Sequence, residues 1–201
     1  MQENPRQNLK VLQGQATAER LLKIARALFA QQGYANTKTE DIIQQGGVTK
    51  GALYHHYSSK KRLFEAVYLS LEEEVAEKIM QASARHKDPW YKILNGCYAY
   101  LDACHDPQYR RIMRVDAPSV LGMKRWSEID RAYGVERLIP AMKQLVTDGV
   151  IKTRVVEAFT WQLTGAMNEA TFWIAQHSDP TLALRQSKTA LRTILESIKI
   201  N

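Results

Sequence analysis

The chain reads as all-α, on three observations. Apolar residues recur at spacings of three and four along most of its length, no stretch alternates regularly enough to make a convincing strand, and the breaks between periodic segments carry helix-start and helix-stop chemistry. With 201 residues and 45% hydrophobic content, the chain has ample material for a core and can form one or two domains.

Met1 to Gln15 is polar, with Leu9, Val11 and Leu12 scattered through it; it lacks the apolar centre of a secretory signal and is expected to be a flexible arm. Leu21, Ile24, Ala25 and Leu28 then follow the helical period from about Thr17 to Gln32, and Gly33 closes that helix. Thr37 and Glu40 form a T-x-x-E capping box ahead of Ile42 and Ile43, so a short second helix is expected from about Thr37. Gly46 and Gly47 stop it, because glycine accepts the positive φ of a helix C-terminus, and Val48 drops towards the core at the turn. Thr49 restarts the chain as an N-cap whose hydroxyl meets the amides near Ala52, while Leu53 and Tyr57, four apart, share one face of the third helix. Two capped helices joined by a glycine turn at this spacing have the geometry of a DNA-reading helix-turn-helix.

Downstream, Leu63, Phe64, Val67, Leu71, Val75 and Ile79 mark a long helix from about Ser59 to Arg85, with Glu72, Glu73, Glu74 and Glu77 expected on its solvent side. Three Asp-Pro pairs, at 88–89, 106–107 and 179–180, mark further helix starts, since aspartate caps free amides and proline needs no hydrogen bond at the first helical position. Helices are expected over about 89–104, 107–114, 122–147 (interrupted near Gly134 and Pro140), 154–176 and 180–199.

Charge separates the two ends of the chain. Residues 1–62 hold 10 basic and 4 acidic side chains, against 18 and 17 in residues 63–201. Basicity concentrated on the helix-turn-helix end is an electrostatic footprint for phosphate. No segment approaches the ~20 apolar residues of a membrane span, so a cytoplasmic protein without a membrane partner is expected. Cys97 and Cys104 fit a reducing compartment; seven residues apart on a helix, they stand ~10 Å apart along its axis, too far for a disulfide.

Thr39, Ile42, Gly47, Val48, Thr49, Gly51, Leu53, Tyr54, His56, Lys60 and Leu63 stand in a gapless register that resembles the DNA-binding domain of the TetR family of transcriptional repressors. Ile43, Gly46 and Tyr57 depart from it, all at packing positions. The resemblance covers about a quarter of the chain. It implies an N-terminal three-helix DNA-binding domain, here residues 16–62 after an arm at 1–15, and a helical ligand-binding and dimerisation domain, here 63–201. Lys50 can reach a guanine edge or a phosphate, and Gly51 lets the backbone approach a phosphate at a helix N-terminus. Tyr54 and His55 face the groove, His56 and Lys60 lie where the family meets the DNA backbone, and Thr39 and Thr49 complete the candidate surface. A metal between His55 and His56 is not expected, because helix neighbours point about 100° apart.

Leu184, Leu191 and Ile198 repeat every seven residues, with Ile194 and Leu195 beside them, and the preceding helix offers Ala166 and Ala170 flanked by Trp161, Met167 and Trp173. These form a candidate four-helix dimer seam, against the alternative of packing within one monomer. A palindromic double-stranded operator needs two recognition helices ~34 Å apart. For an unidentified small-molecule effector, Tyr98, Tyr109, Met113, Trp126 and Met167 supply large or deformable groups, and Arg114, Asp116, Asn168 and Glu169 supply polar ones, though an ordinary core holds the same mixture. Arg110, Arg111 and Arg114 suit an anionic ligand, unless Arg114 and Asp116 neutralise each other. Cys97, Cys104 and His105 define the alternative, a thiol- or metal-responsive DNA-binding sensor. Nucleophile-base spacings, metal-ligand motifs and glycine-rich phosphate loops are absent from the sequence, so neither an enzyme nor a cofactor is expected. The sequence thus points to a ligand-responsive DNA-binding repressor that holds a palindromic operator as a homodimer and is released by its effector.

Overall fold

The computed structural model describes residues 5–200, with side-chain surroundings from Leu12 onward. Helix α1 (Pro5–Asn36) begins well before the expected Thr17, so the segment anticipated as an arm is helical from Pro5; Met1 to Asn4 lie outside the described residues. Its regular geometry breaks at Gly33, which adopts φ 80° and ψ 165°, a region essentially closed to other residues. Thr37 does not cap the next helix. Its hydroxyl donates to the Gly33 carbonyl at 2.8 Å and it is buried there, so α2 (Thr39–Gly46) starts two residues later, with Lys38 at its N-cap and no side-chain cap. Gly47, with φ 57°, ends α2 in the left-handed conformation, and Thr49 caps α3 (Lys50–His56) by accepting from the Ala52 amide at 3.1 Å.

Helix α4 (Lys60–Ala84), capped by Ser59, is the spine of the molecule. Leu63, Phe64, Val67, Tyr68, Leu71 and Val75 are buried along it, and Phe64 meets Phe29 and Tyr34 edge-on with ring centroids 5.2 Å apart. One core joins α1 to α3 with α4 and continues into Tyr109, Ile112, Met113, Ala117, Leu121 and Ile129. The head is therefore fused to the body across residue 62, with no solvated hinge between them. Burying Phe64 contributes ~1.5–3 kcal/mol.

The three aspartates cap as expected: Asp88 accepts from Trp90, Asp106 from Gln108 and Asp179 from Leu182. They start α5 (Pro89–His105), α6 (Pro107–Tyr109) and α11 (Pro180–Glu196). Helix α6 runs into a π-helical segment, Arg110–Asp116, where Ala117 N–H reaches back to the Ile112 carbonyl; Pro118 has no N–H to continue the α pattern to Arg114. Then follow α7 (Ala117–Leu121), α8 (Met123–Tyr133), α9 (Val135–Thr147) and α10 (Val156–Gln176). The expected interruption occurs at Gly134 alone. Pro140 stays inside α9, in its second turn, where it forfeits one backbone hydrogen bond and leaves the helix running. A second core links Trp90, Leu94 and Leu101 of α5 with Met142, Leu163, Met167, Leu191 and Leu195. Helix α11 stops short of 199 because Ile198 accepts from Lys152 N–H and Ile200 donates to Val150, forming an antiparallel bridge.

Candidate functional site

Two sites emerge, and one segment lies between them. On the head, Lys50, Gly51, Tyr54 and His55 are exposed on α3, while Leu53 is fully buried beneath them. Tyr57 anchors the same helix by donating its hydroxyl to the Ala18 carbonyl at 3.2 Å. A Cβ on Gly51 would find nothing closer than Thr49 Oγ1 at 3.9 Å, so the chain's own packing does not demand glycine; the open space faces outwards. Thr49 is exposed, Thr39 is half-buried with its hydroxyl 3.3 Å from Glu40, and His56 is half-buried with its ring close to Gly14. Lys60 is placed differently from the others. Its ammonium lies over the Tyr34 ring, 4.2 Å from the centroid, and burial pulls its pKa below the ordinary lysine value despite nearby Asp116.

In the body, α4, α5, α8, α9 and α10 enclose a cavity of ≈ 320 Å³. Val75, Ile79, Ile93, Cys97, Leu138 and Met167 make its apolar wall; Glu72, Tyr100, Asp130 and Asn168 make a polar end. Arg114 stands behind that end, donating to Asp130 at 3.1 Å, to Asn168 at 3.0 Å and to the Tyr100 hydroxyl. Asn168 in turn donates to Asp130 at 3.1 Å. Glu72, expected in solvent, is buried because α8 packs on that side of α4, with α9 across the cavity. Burial outweighs the Tyr68 hydroxyl and Arg114 and pushes its pKa up to about 7.

Of the residues anticipated for a ligand, Met167 and Asn168 line the cavity and Arg114 supports it. The rest lie elsewhere. Tyr109 faces α1, bonded to Glu74 and Lys78; Met113 and Trp126 pack in the head-side core; Tyr98 lies under Lys188 on the α11 side. Helical periodicity alone does not say which neighbour a face meets. Arg110 and Arg111 do not line the cavity either, and Glu169 is exposed. Glu72, Tyr100 and Asp130 were missed, although one signal existed: Glu72 interrupts the stripe Tyr68, Glu72, Val75, Ile79, which keeps helical spacing. Cys97 and Cys104 are buried free thiols, and burial raises both pKa values, that of Cys97 to about 12, which disfavours the reactive thiolate. His105 sits at the end of α5 with a buried Nδ1 that has no partner.

The π segment joins the two sites. Its Arg114 belongs to the cavity network, and its Asp116 accepts the Tyr34 amide of α1 at 2.8 Å. Arg111 fills the space a side chain on Gly33 would need, and it faces Asp116 at 3.6 Å. Arg26 of α1 pairs with Glu74, which also accepts from Tyr109.

On the outer side, α10 and α11 leave Trp161 (50% exposed), Trp173 (43%) and Ile194 (39%) uncovered, with Ala166 exposed between the tryptophans. The seven-residue stripe is not that face. Leu191 is 4% exposed in the chain's own core, with Leu184, Ala170 and Ile198 packed around the same cluster. Among the described residues no helix is long and apolar enough to cross a membrane, and no group of three or more His, Cys, Asp or Glu side chains could hold a metal.

Residues 21–67 match the family model described as bacterial regulatory proteins, tetR family, and residues 90–198 match that of the tetracyclin repressor-like C-terminal domain. A crystal structure of a TetR-family transcriptional regulator from Pectobacterium atrosepticum is 32% identical, covers 94% of this chain and 97% of its own, and superposes with a TM-score of 0.81. The HTH-type transcriptional regulator AcrR of Shigella flexneri is 33% identical over 73 residues, which are 36% of this chain but only 34% of that protein. The transposon Tn10 TetC protein of Escherichia coli is 24% identical over 137 residues, 68% of this chain and 69% of that protein.

Proposed function

Because this chain belongs to the TetR family of transcriptional regulators, we propose that it binds a palindromic operator as a homodimer, represses transcription from it, and is released when a small molecule fills the cavity beside α4. The family is one of non-catalytic DNA-binding regulators, so the chain is not an enzyme. It works in the cytoplasm, on double-stranded DNA.

The observation that carries this reading is the π segment, in which Arg114 and Asp116, two residues apart, belong to the cavity network and to the base of the head respectively. A ligand that fills the cavity presses on Asp130, Asn168 and Tyr100, the partners of Arg114, and so shifts the segment that holds the end of α1. On the DNA side, Lys50, Tyr54 and His55 take base edges, the α3 N-terminus at Thr49 and Gly51 takes a phosphate, and Thr39 and His56 flank it. Lys60, held over Tyr34, acts from the rim of this surface. The uncovered face of α10 and α11 pairs with its copy, with Trp161, Ala166, Trp173 and Ile194 at the seam.

Selection of duplexes from a random pool by the purified chain tests the reading. The enriched sites should carry an inverted repeat whose half-site centres lie about one helical turn (~34 Å) or a multiple apart. Enrichment of a single unsymmetric site, or of none, would overturn it.

A further inference from the structure

The cavity holds one buried carboxyl group without an ion-pair contact among the described residues. Glu72 lines it and is 7% exposed, yet among the described residues no cation lies within 4.0 Å of its carboxylate, and its near neighbour is the neutral Tyr68 hydroxyl. The other acid of the polar end, Asp130, is fully engaged: one oxygen accepts from Arg114 and the other from Asn168. The two cations of the lining stand nearer water. Arg137 is 47% exposed, lies over the Tyr133 ring at 4.2 Å and faces Glu73 at 3.9 Å, and Lys92 is exposed. Arg114 lies outside the lining, and an entering anion would have to break its contacts with Asp130, Asn168 and Tyr100 to reach it.

A carboxylate in an apolar surround is costly to keep charged, so Glu72 holds its proton up to about pH 7, and a cation brought from outside can take that proton's place. The remaining wall, from Val75 and Ile79 through Ile93, Leu138 and Met167, suits a hydrocarbon or aromatic body. Tyr100 and Tyr133 also line the cavity, each with an arginine over its ring, Arg114 at 6.0 Å and Arg137 at 4.2 Å.

We propose that the cavity takes an amphipathic organic cation, its apolar body between α4, α5 and α10 and its ammonium group against Glu72. This rests on the reading of the cavity as the effector site. The ligand is bound without covalent chemistry, and the specificity lies in one carboxylate that no protein cation satisfies.

Three probes with the same tail separate charge from greasiness: decyltrimethylammonium, decyl sulfate and decanol, each below its aggregation limit, titrated into the full chain by calorimetry. The ammonium should bind at least tenfold more tightly than the other two. In Glu72→Gln that preference should collapse while decanol binds as before, since the amide keeps the shape and drops the charge. Tightest binding by decyl sulfate, equal binding of all three, binding by none, or an unchanged ammonium preference in Glu72→Gln would each overturn the proposal. Ala141→Trp, which fills the cavity from α9, separates this from failure of the site itself. If it abolishes binding of every probe, the cavity is the site and the Glu72 result alone decides the class of ligand. If ammonium binding survives Ala141→Trp unchanged, the cavity reading is wrong and the proposal falls with it.

Discussion

At Glu72 the chain holds a carboxyl group where water is scarce, and the consequence is a stability that falls as pH rises. Its pKa, pushed up to about 7 by burial, lies above the ordinary carboxylate value of 4.5, so the folded state holds the proton over that interval and the unfolded chain has already lost it. The cost is absent below about pH 4.5, grows between there and 7, and is complete above, on the order of 3 kcal/mol. Glu72→Gln should therefore unfold at higher denaturant than the parent at pH 8 and nearly with it at pH 4.5; equal gains at both pH values would show that the carboxyl is not held in its neutral form. On the head, Lys50 and Tyr54 are exposed on α3 while Leu53 carries its buried contact, so removing either exposed side chain leaves the core untouched. Lys50→Ala and Tyr54→Ala should each weaken operator binding by ~1–3 kcal/mol at fixed salt with little change in thermal midpoint. Unaltered affinity in both variants counts against α3 as the reading helix.

Between residues and the whole, the informative elements are the turn at Gly33 and the π segment that fills it. Gly33 has φ 80°, and the Arg111 guanidinium occupies the place of its missing side chain. Gly33→Ala should cost about 1–3 kcal/mol from backbone strain, with a further loss from the displaced arginine, and should lower operator affinity because the end of α1 is reset. Adding Arg111→Ala should recover the steric part only; full recovery in chemical unfolding would mean the backbone conformation carries no strain. The caps of these elements were legible beforehand. Thr49, Asp88, Asp106 and Asp179 bond amides two or three residues away, and such contacts depend on local chain alone. Thr37 was misread because a carbonyl four residues behind it, at the Gly33 break, took the hydroxyl expected to serve the following helix.

For the whole molecule the question is which surface meets a second copy. Trp161 and Ile194 are exposed, whereas Leu191 is enclosed by its own chain, so charge should act differently at the two places. Trp161→Glu with Ile194→Glu should give a folded monomer by sedimentation whose operator affinity drops ~10²-fold or more, as the linked second half-site is lost. Leu191→Glu should instead destabilise the fold, since it buries an unpaired charge in the α5, α10 and α11 core. A folded dimer with full affinity after the double change at Trp161 and Ile194 would move the interface elsewhere.

The sequence by itself determined the all-α class, the Asp-Pro helix starts and the helix-turn-helix, because periodicity, caps and glycine turns act over a few residues and are written in consecutive positions. It also set Leu53 on the buried side of α3. Only the tertiary structure decided what each apolar face meets: that Leu184, Leu191 and Ile198 pack inward, that Tyr98, Tyr109, Met113 and Trp126 stand away from the cavity, and that Lys60 rests on Tyr34. The same holds for Glu72. A helix repeats its faces with a period of 3.6 whatever covers them, and the covering helix, α8, comes from about 50 residues further along the chain.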